Sequence, residues 1–168
     1  MRQIIIPKIL LNTRNYKGFL DISVWTNLGK SYVKTPKIYM NDVGLASYFC
    51  GVNDTSMVKT HPSYGSLLET WIFSELRKAL VYRPMAQIFF YRNHKGIEVD
   101  FLITQGDRVV GIECKASASL TTKDYRNLKF VGEEIKDNFL GVILYRGDQV
   151  IKVDTNIIAV PLGMLFSV

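Results

Sequence analysis

Several things are scarce in this 168-residue chain, and each scarcity excludes a class of protein. No apolar stretch approaches the roughly 18–20 residues that a membrane-spanning helix requires, so the chain reads as soluble and cytoplasmic, with no membrane partner. The opening Met1-Arg2-Gln3-Ile4-Ile5-Ile6-Pro7-Lys8 interrupts its apolar run with proline and lysine and offers no small-residue cleavage site, so it does not read as an export signal. Only two cysteines are present, Cys50 and Cys114, and neither has the C-x-x-C or histidine spacing of a zinc site. Both sit among apolar neighbours, which suits reduced, buried thiols, and neither His61 nor His94 lies in a nucleophile motif that would activate one. No Gly-x-x-x-x-Gly-Lys-Ser/Thr loop occurs, so no ATP site is expected. Acidic residues are also scarce at one end: Asp21 is the only one among the first 40 residues.

What is present reads as one compact domain. The chain is 48% apolar, 12% aromatic and 21% charged, and its length is enough to bury roughly 70% of its extended surface. The formal net charge of +6 lies entirely in Met1 to Met40, where Arg2, Lys8, Arg14, Lys17, Lys30, Lys34 and Lys37 face Asp21 alone. The remainder is neutral. A basic arm on a neutral body suits nucleic acid or an acidic partner surface, and equally suits a solvated arm with no partner.

Met1 to Pro36 shows short apolar pieces, Ile4 to Ile6 and Ile22 to Trp25, with one or two extended segments expected. Asn41-Asp42 reads as the N-cap of a short helix ending at Gly51, and a polar loop spans Asn53 to Ser63. Apolar residues at 67, 68, 71, 72, 76, 79 and 80 predict an amphipathic helix over Leu67 to Leu80. Gln87 to Arg92, Ile97 to Thr104 and Arg108 to Lys115 read as strands, joined by the turns Asn93-His94-Lys95-Gly96 and Gln105-Gly106-Asp107. Thr121-Thr122-Lys123-Asp124 reads as a capping box opening a helix to about Lys136. Phe139 to Tyr145 and Gln149 to Val153 are expected strands around Arg146-Gly147-Asp148, taken as a hairpin turn rather than an adhesion motif. Helix, three strands, helix and further strands make an α/β fold with a mixed central sheet flanked by helices.

Within that framework one constellation carries chemistry. Strand alternation puts Glu113 and Lys115 on one face, and the hairpin brings Asp100 beside Glu113. Two carboxylates can hold a hard cation such as Mg²⁺ or Mn²⁺, and a neighbouring lysine can orient water or stabilise phosphoryl charge. Spacing alone equally allows a surface cross-strand ion pair. Glu134-Ile135-Lys136 has the same spacing, but on a helix its side chains point about 200° apart and cannot share a site. Glu69, beside the apolar stripe of its helix, is either an acid turned toward that site or the last residue of a capping box begun by Ser66. Glu75, near Lys78, reads as a solvated charge. Arg92 and Lys95, with Tyr91 and His94, flank the hairpin, and Tyr125 and Arg126 open the following helix. These are candidate phosphate or base contacts, or ordinary turn and first-turn residues.

Taken together, Asn27-Leu28-Gly29-Lys30, Thr35-Pro36-Lys37-Ile38-Tyr39-Met40-Asn41-Asp42-Val43-Gly44-Leu45-Ala46, Leu68-Glu69, Glu75-Leu76-Arg77, Phe90-Tyr91-Arg92, Glu98-Val99-Asp100-Phe101 and Ile112-Glu113-Cys114-Lys115 resemble one family in order and spacing. It is the C-terminal domain of unknown function that follows the ATPase module in a widespread group of prokaryotic AAA-type ATPases, related to the PD-(D/E)XK restriction-endonuclease-like superfamily. The resemblance implies a restriction-endonuclease-like αβββαβ core over 37–168, and a basic N-terminal arm over 1–36 that is the remnant of the linker to an absent ATPase. It implies a Mg²⁺- or Mn²⁺-dependent phosphodiesterase acting on nucleic acid, DNA before RNA, with Asp100, Glu113 and Glu69 as metal ligands and Lys115 assisting the attacking water. Val99 stands where the motif's name has proline. The same fold would also serve as an inactive module that binds nucleic acid or a partner ATPase, and it leaves room for a homodimer.

Overall fold

The structure is a computed structural model and describes residues 19–22 and 37–165. Apart from Phe19–Ile22, the arm expected over 1–36 lies outside the described residues. Strand β1 (Phe19–Ile22) pairs antiparallel with β2 (Lys37–Met40). Helix α1 (Val43–Phe49) starts at Asp42, whose carboxylate accepts the Leu45 N–H at 2.9 Å, and stops at Gly51, whose φ of +82° is cheap only for glycine. The expected polar loop contains a short 3₁₀ turn, Val58–Thr60.

The expected order of helix, three strands, helix and strand is present. Helix α2 (Tyr64–Leu80) is followed by β3 (Ala86–Arg92), β4 (Glu98–Gln105) and β5 (Arg108–Cys114), an antiparallel meander. Asn93 shapes the first turn by accepting the Lys95 and Ile97 N–H groups on its Oδ1. Helix α3 (Thr122–Ile135) opens on a complete Thr121/Asp124 capping box and carries the chain across to β6 (Phe139–Tyr145), which lies parallel to β5. Such a parallel neighbour needs a crossover of this length, whereas the antiparallel strands need only tight turns.

Two strands depart from expectation. Arg146-Gly147-Asp148 is not a hairpin turn: β7 (Ile151–Asp154) does not pair with β6. The next strand, β8 (Ile157–Pro161), inserts between them, giving the order β3-β4-β5-β6-β8-β7. The turn is shaped instead by Tyr145, whose ring covers Gly147 and whose hydroxyl donates to the Gln149 carbonyl at 2.6 Å.

The mixed six-stranded sheet has a core on each face. Leu68, Ile72 and Phe73 of α2 pack with Tyr39, Phe90, Phe101, Ile112 and Leu144. On the other face Leu128 and Val131 of α3 pack with Val99, Leu102, Phe139, Ile143 and Ile157. The Phe139 ring lies so close to Gly111 and Gly132 that a Cβ at either would come within about 2.7 Å of it. Glycine at both positions lets α3 seat directly on β5.

Candidate active site

A β-bulge positions the site. From Phe89 to Tyr91 β3 advances two residues, while β4 advances three, from Leu102 to Val99, so the extra residue falls around Asp100. The β4–β5 ladder ends at Phe101 and Ile112, one step short of Asp100 and Glu113. There the Asp100 side chain takes over, its Oδ2 accepting the Cys114 backbone N–H at 2.9 Å. The bulge also breaks the alternation of β4, so that Phe101 faces α2 while Leu102 and Val99 face α3. Asp100 sits where the two faces meet.

On the α2 side, Lys37 and Tyr39 lie two residues apart on β2 and both reach Glu69. The Lys37 ammonium stands 2.9 Å from Glu69 Oε1, 2.6 Å from Glu98 Oε1 and 3.7 Å from Asp100 Oδ1. The Tyr39 hydroxyl donates to the same Glu69 oxygen. Burial acts to lower the Lys37 pKa, but the carboxylates of Glu69, Asp100 and Glu98 outweigh it and hold the ammonium above the ordinary lysine range. Burial, reinforced by Glu69, pushes the Tyr39 phenol up, so it remains a donor. Glu69 is not the end of a capping box. Helix α2 begins at Tyr64, and the Glu69 carboxylate, well inside the helix, serves the sheet instead.

On the α3 side, the Glu113 carboxyl is buried, 6% exposed, and lies against that of Asp100 close enough to share a hydrogen bond. Burial and then the Asp100 charge push Glu113 well above the carboxylate range, and burial and then Glu69 raise Asp100. Lys115 Nζ lies 3.6 Å from Glu113 and 3.8 Å from Asp124 at the start of α3. Cys114, half-buried on the α2 face, is held as a neutral thiol by burial and the Asp100 charge. Cys50 is likewise a half-buried free thiol.

The structure therefore brings Asp100, Glu113 and Lys115 together and sets Glu69 one lysine away. Arg92 pairs with Glu98 at 3.4 Å, and Lys95 is exposed on the hairpin turn. Tyr125, partly buried against the α3 core, and the exposed Arg126 directly follow Asp124. Sequence reasoning missed Lys37, Tyr39 and Glu98 as parts of this network. The signal was the two-residue spacing of Lys37 and Tyr39, which matches that of Glu98 and Asp100.

Among the described residues the network joins five carboxyls, of Glu69, Glu98, Asp100, Glu113 and Asp124, to three basic side chains, of Lys37, Arg92 and Lys115. No group of three or more His, Cys, Asp and Glu among those residues is disposed to hold a metal ion. Nor, among them, is any helix long and apolar enough to cross a membrane.

Residues 64–165 match the model of a family described as a domain of unknown function, DUF4143, a span that holds Glu69, Asp100, Glu113 and Lys115 but not Lys37 or Tyr39. Two uncharacterized proteins, Mb2031c of Mycobacterium bovis and Rv2008c of Mycobacterium tuberculosis, are each 23% identical over 148 residues, covering 88% of the chain and 32% of the relative. The chain thus spans about a third of the length of the curated relatives it matches. A solved half-complex of Thermococcus gammatolerans McrB AAA+ hexamers with bound McrC aligns over 58% of the chain and 27% of the solved one. Its 15% identity and TM-score of 0.43 carry no argument about fold or function.

Proposed function

The chain belongs to the DUF4143 family of domains of unknown function, and from that footing we propose that α2 to β6 form a restriction-endonuclease-like core of the PD-(D/E)XK kind, carrying a metal-dependent phosphodiesterase site for nucleic acid, DNA in the first place. One observation carries the reading. Two acids from adjacent strands, Asp100 and Glu113, meet at the end of a ladder with Lys115 3.6 Å from the buried one.

The donor set fits Mg²⁺ or Mn²⁺. Both side chains offer hard oxygen ligands, and burial beside another negative charge raises both pKa values, a burden that a divalent cation relieves. Such ions are commonly held by one or two carboxylates, with water and substrate phosphate completing the shell. When bound, the ion supplies charge stabilisation at the phosphoryl group and a more acidic water. The protein's own groups do the rest. Lys115, fixed between Glu113 and Asp124, presents an ammonium where phosphoryl charge develops. The Cys114 N–H fixes one oxygen of Asp100. Arg92, which pairs with Glu98, and Lys95, Tyr125 and Arg126 are proposed to meet backbone phosphates or bases. An AAA-type ATPase is the proposed protein partner, supported by the motif resemblance.

A second reading, a module of the same fold without catalysis, is favoured by Lys37, which already neutralises part of the acid cluster. Cleavage of supercoiled plasmid and single-stranded DNA with Mg²⁺ or Mn²⁺ decides between them. The enzyme reading expects metal-dependent nicking that falls by at least about a hundredfold in Lys115→Ala and Asp100→Ala. Equal background in all three proteins would leave the binding module.

A further inference from the structure

Resting on the metal reading above, we propose that Lys37 is a built-in cation that withholds Glu69 from the metal centre, so that the site takes one divalent ion, at Asp100 and Glu113, and no second. An ammonium has three N–H groups to place. Lys37 directs them among three carboxylates from two elements, at 2.9 Å to Glu69, 2.6 Å to Glu98 and 3.7 Å to Asp100. Glu98 is engaged on both oxygens, Oε1 by Lys37 and Oε2 by Arg92, and Glu69 Oε1 by the same ammonium, so a second divalent ion here would have to compete with cations already in place. Glu69 Oε1 is claimed twice, because the Tyr39 hydroxyl donates to it as well.

The cation is held in place by the fold. Tyr39 is 5% exposed, and its ring stacks on Phe73 at 4.4 Å and lies 5.8 Å from Phe101. That packing anchors β2 on the α2 core. Lys37, two residues back on the same strand face, is thereby aimed at the acids with its Nζ 5.7 Å from the Phe90 ring centre. The geometry divides the acids in two. Glu69 and Glu98 are served by an ammonium that belongs to the chain, and Asp100 and Glu113 are left for an ion from solution.

Mn²⁺ titration of the full chain, followed by calorimetry and by the paramagnetic resonance of free Mn²⁺, tests this without reference to cleavage. The expected stoichiometry is one ion for the wild type, two for Lys37→Met and one again for Lys37→Arg, which restores the charge. Glu69→Gln is expected to keep one ion with affinity within about twofold of wild type, and it decides the matter if Lys37→Met does not fold. One ion in a folded Lys37→Met, two in the wild type, or a loss of about tenfold or more in Glu69→Gln, the scale for metal-shell substitutions, would each overturn the inference and leave the metal reading standing. No Mn²⁺ bound by the wild type would overturn both.

Discussion

Asp100 has two neighbourhoods, and they handle buried charge in opposite ways. Toward α2, Glu69 and Glu98 share the Lys37 ammonium at 2.9 and 2.6 Å, Glu98 also meets Arg92, and Tyr39 donates to Glu69. Toward α3, a buried Glu113 faces Asp100 itself, and the nearest ammonium, Lys115, stands 3.6 Å away and is shared with Asp124. The first arrangement is an ion-pair network complete within the chain. In the second, burial and then the Asp100 charge raise the proton affinity of Glu113, while Asp100 itself is raised by burial and by Glu69 from the first side. The contrast separates two jobs for acidic residues: those toward α2 tie β2 and α2 to the sheet, and the pair toward α3 is kept short of positive charge.

Breaking the α2 side should cost most. Lys37→Met strips the shared cation from three acids, and removing one partner of a partly buried network is expected to cost about 2–4 kcal/mol, read as a lower urea midpoint with unchanged slope. A loss near zero would mean that the network contributes nothing to holding β2.

Relieving the α3 side should do the reverse. With folded pKa values raised above the unfolded carboxylate range of about 4, the native state binds more protons than the unfolded chain just above that range. Metal-free stability contributed by Asp100 and Glu113 is therefore fully present below about pH 4 and falls as pH rises through their raised folded values, for Glu113 beyond neutrality. Glu113→Gln removes the like-charge burden, so at pH 8 the variant should be more stable than wild type by about 1–2 kcal/mol. The difference should shrink on acidification. If the variant is less stable at pH 8, the two acids are not in conflict.

The smallest effect concerns the fixed end of Lys115. Asp124→Ala removes the reciprocal half of the capping box and one of the two carboxylates that hold the lysine, with an expected loss of about 1 kcal/mol. Partial burial acts to raise the Asp124 pKa, but hydrogen bonds from Thr121 and then the Lys115 charge together outweigh it and hold the carboxyl below its usual value. That contribution is present at neutral pH and is lost as pH falls through the depressed value. A pH-independent loss would mean that the Asp124 charge does not carry the effect.

How far the sequence disclosed this arrangement follows from the physics of each element. Helices α2 and α3 and strands β3 to β6 bury continuous faces between clear turn signals, so periodicity finds them. The pairing of Glu113 with Asp100 was legible because hairpin register follows from Gly106 and Asp107 at its tip. Strand β2 was not legible: it has four residues, only Tyr39 of them buried, and its charge reads as part of a basic arm. Strand β8 was hidden by its position, since nothing in Ile157 to Pro161 says that it pairs ahead of β7. Glu98 escaped because a bulge, invisible to a period-of-two reading, decides where its strand turns.

The insertion of β8 between β6 and β7 also makes β8 the bridge of the sheet, parallel to β6 and antiparallel to β7. Among the described residues β7 reaches the sheet only through it. Loss of Ile157–Pro161 would therefore strip two strands of a partner at once and bare the backbone of β6, an edge open to pairing with another chain.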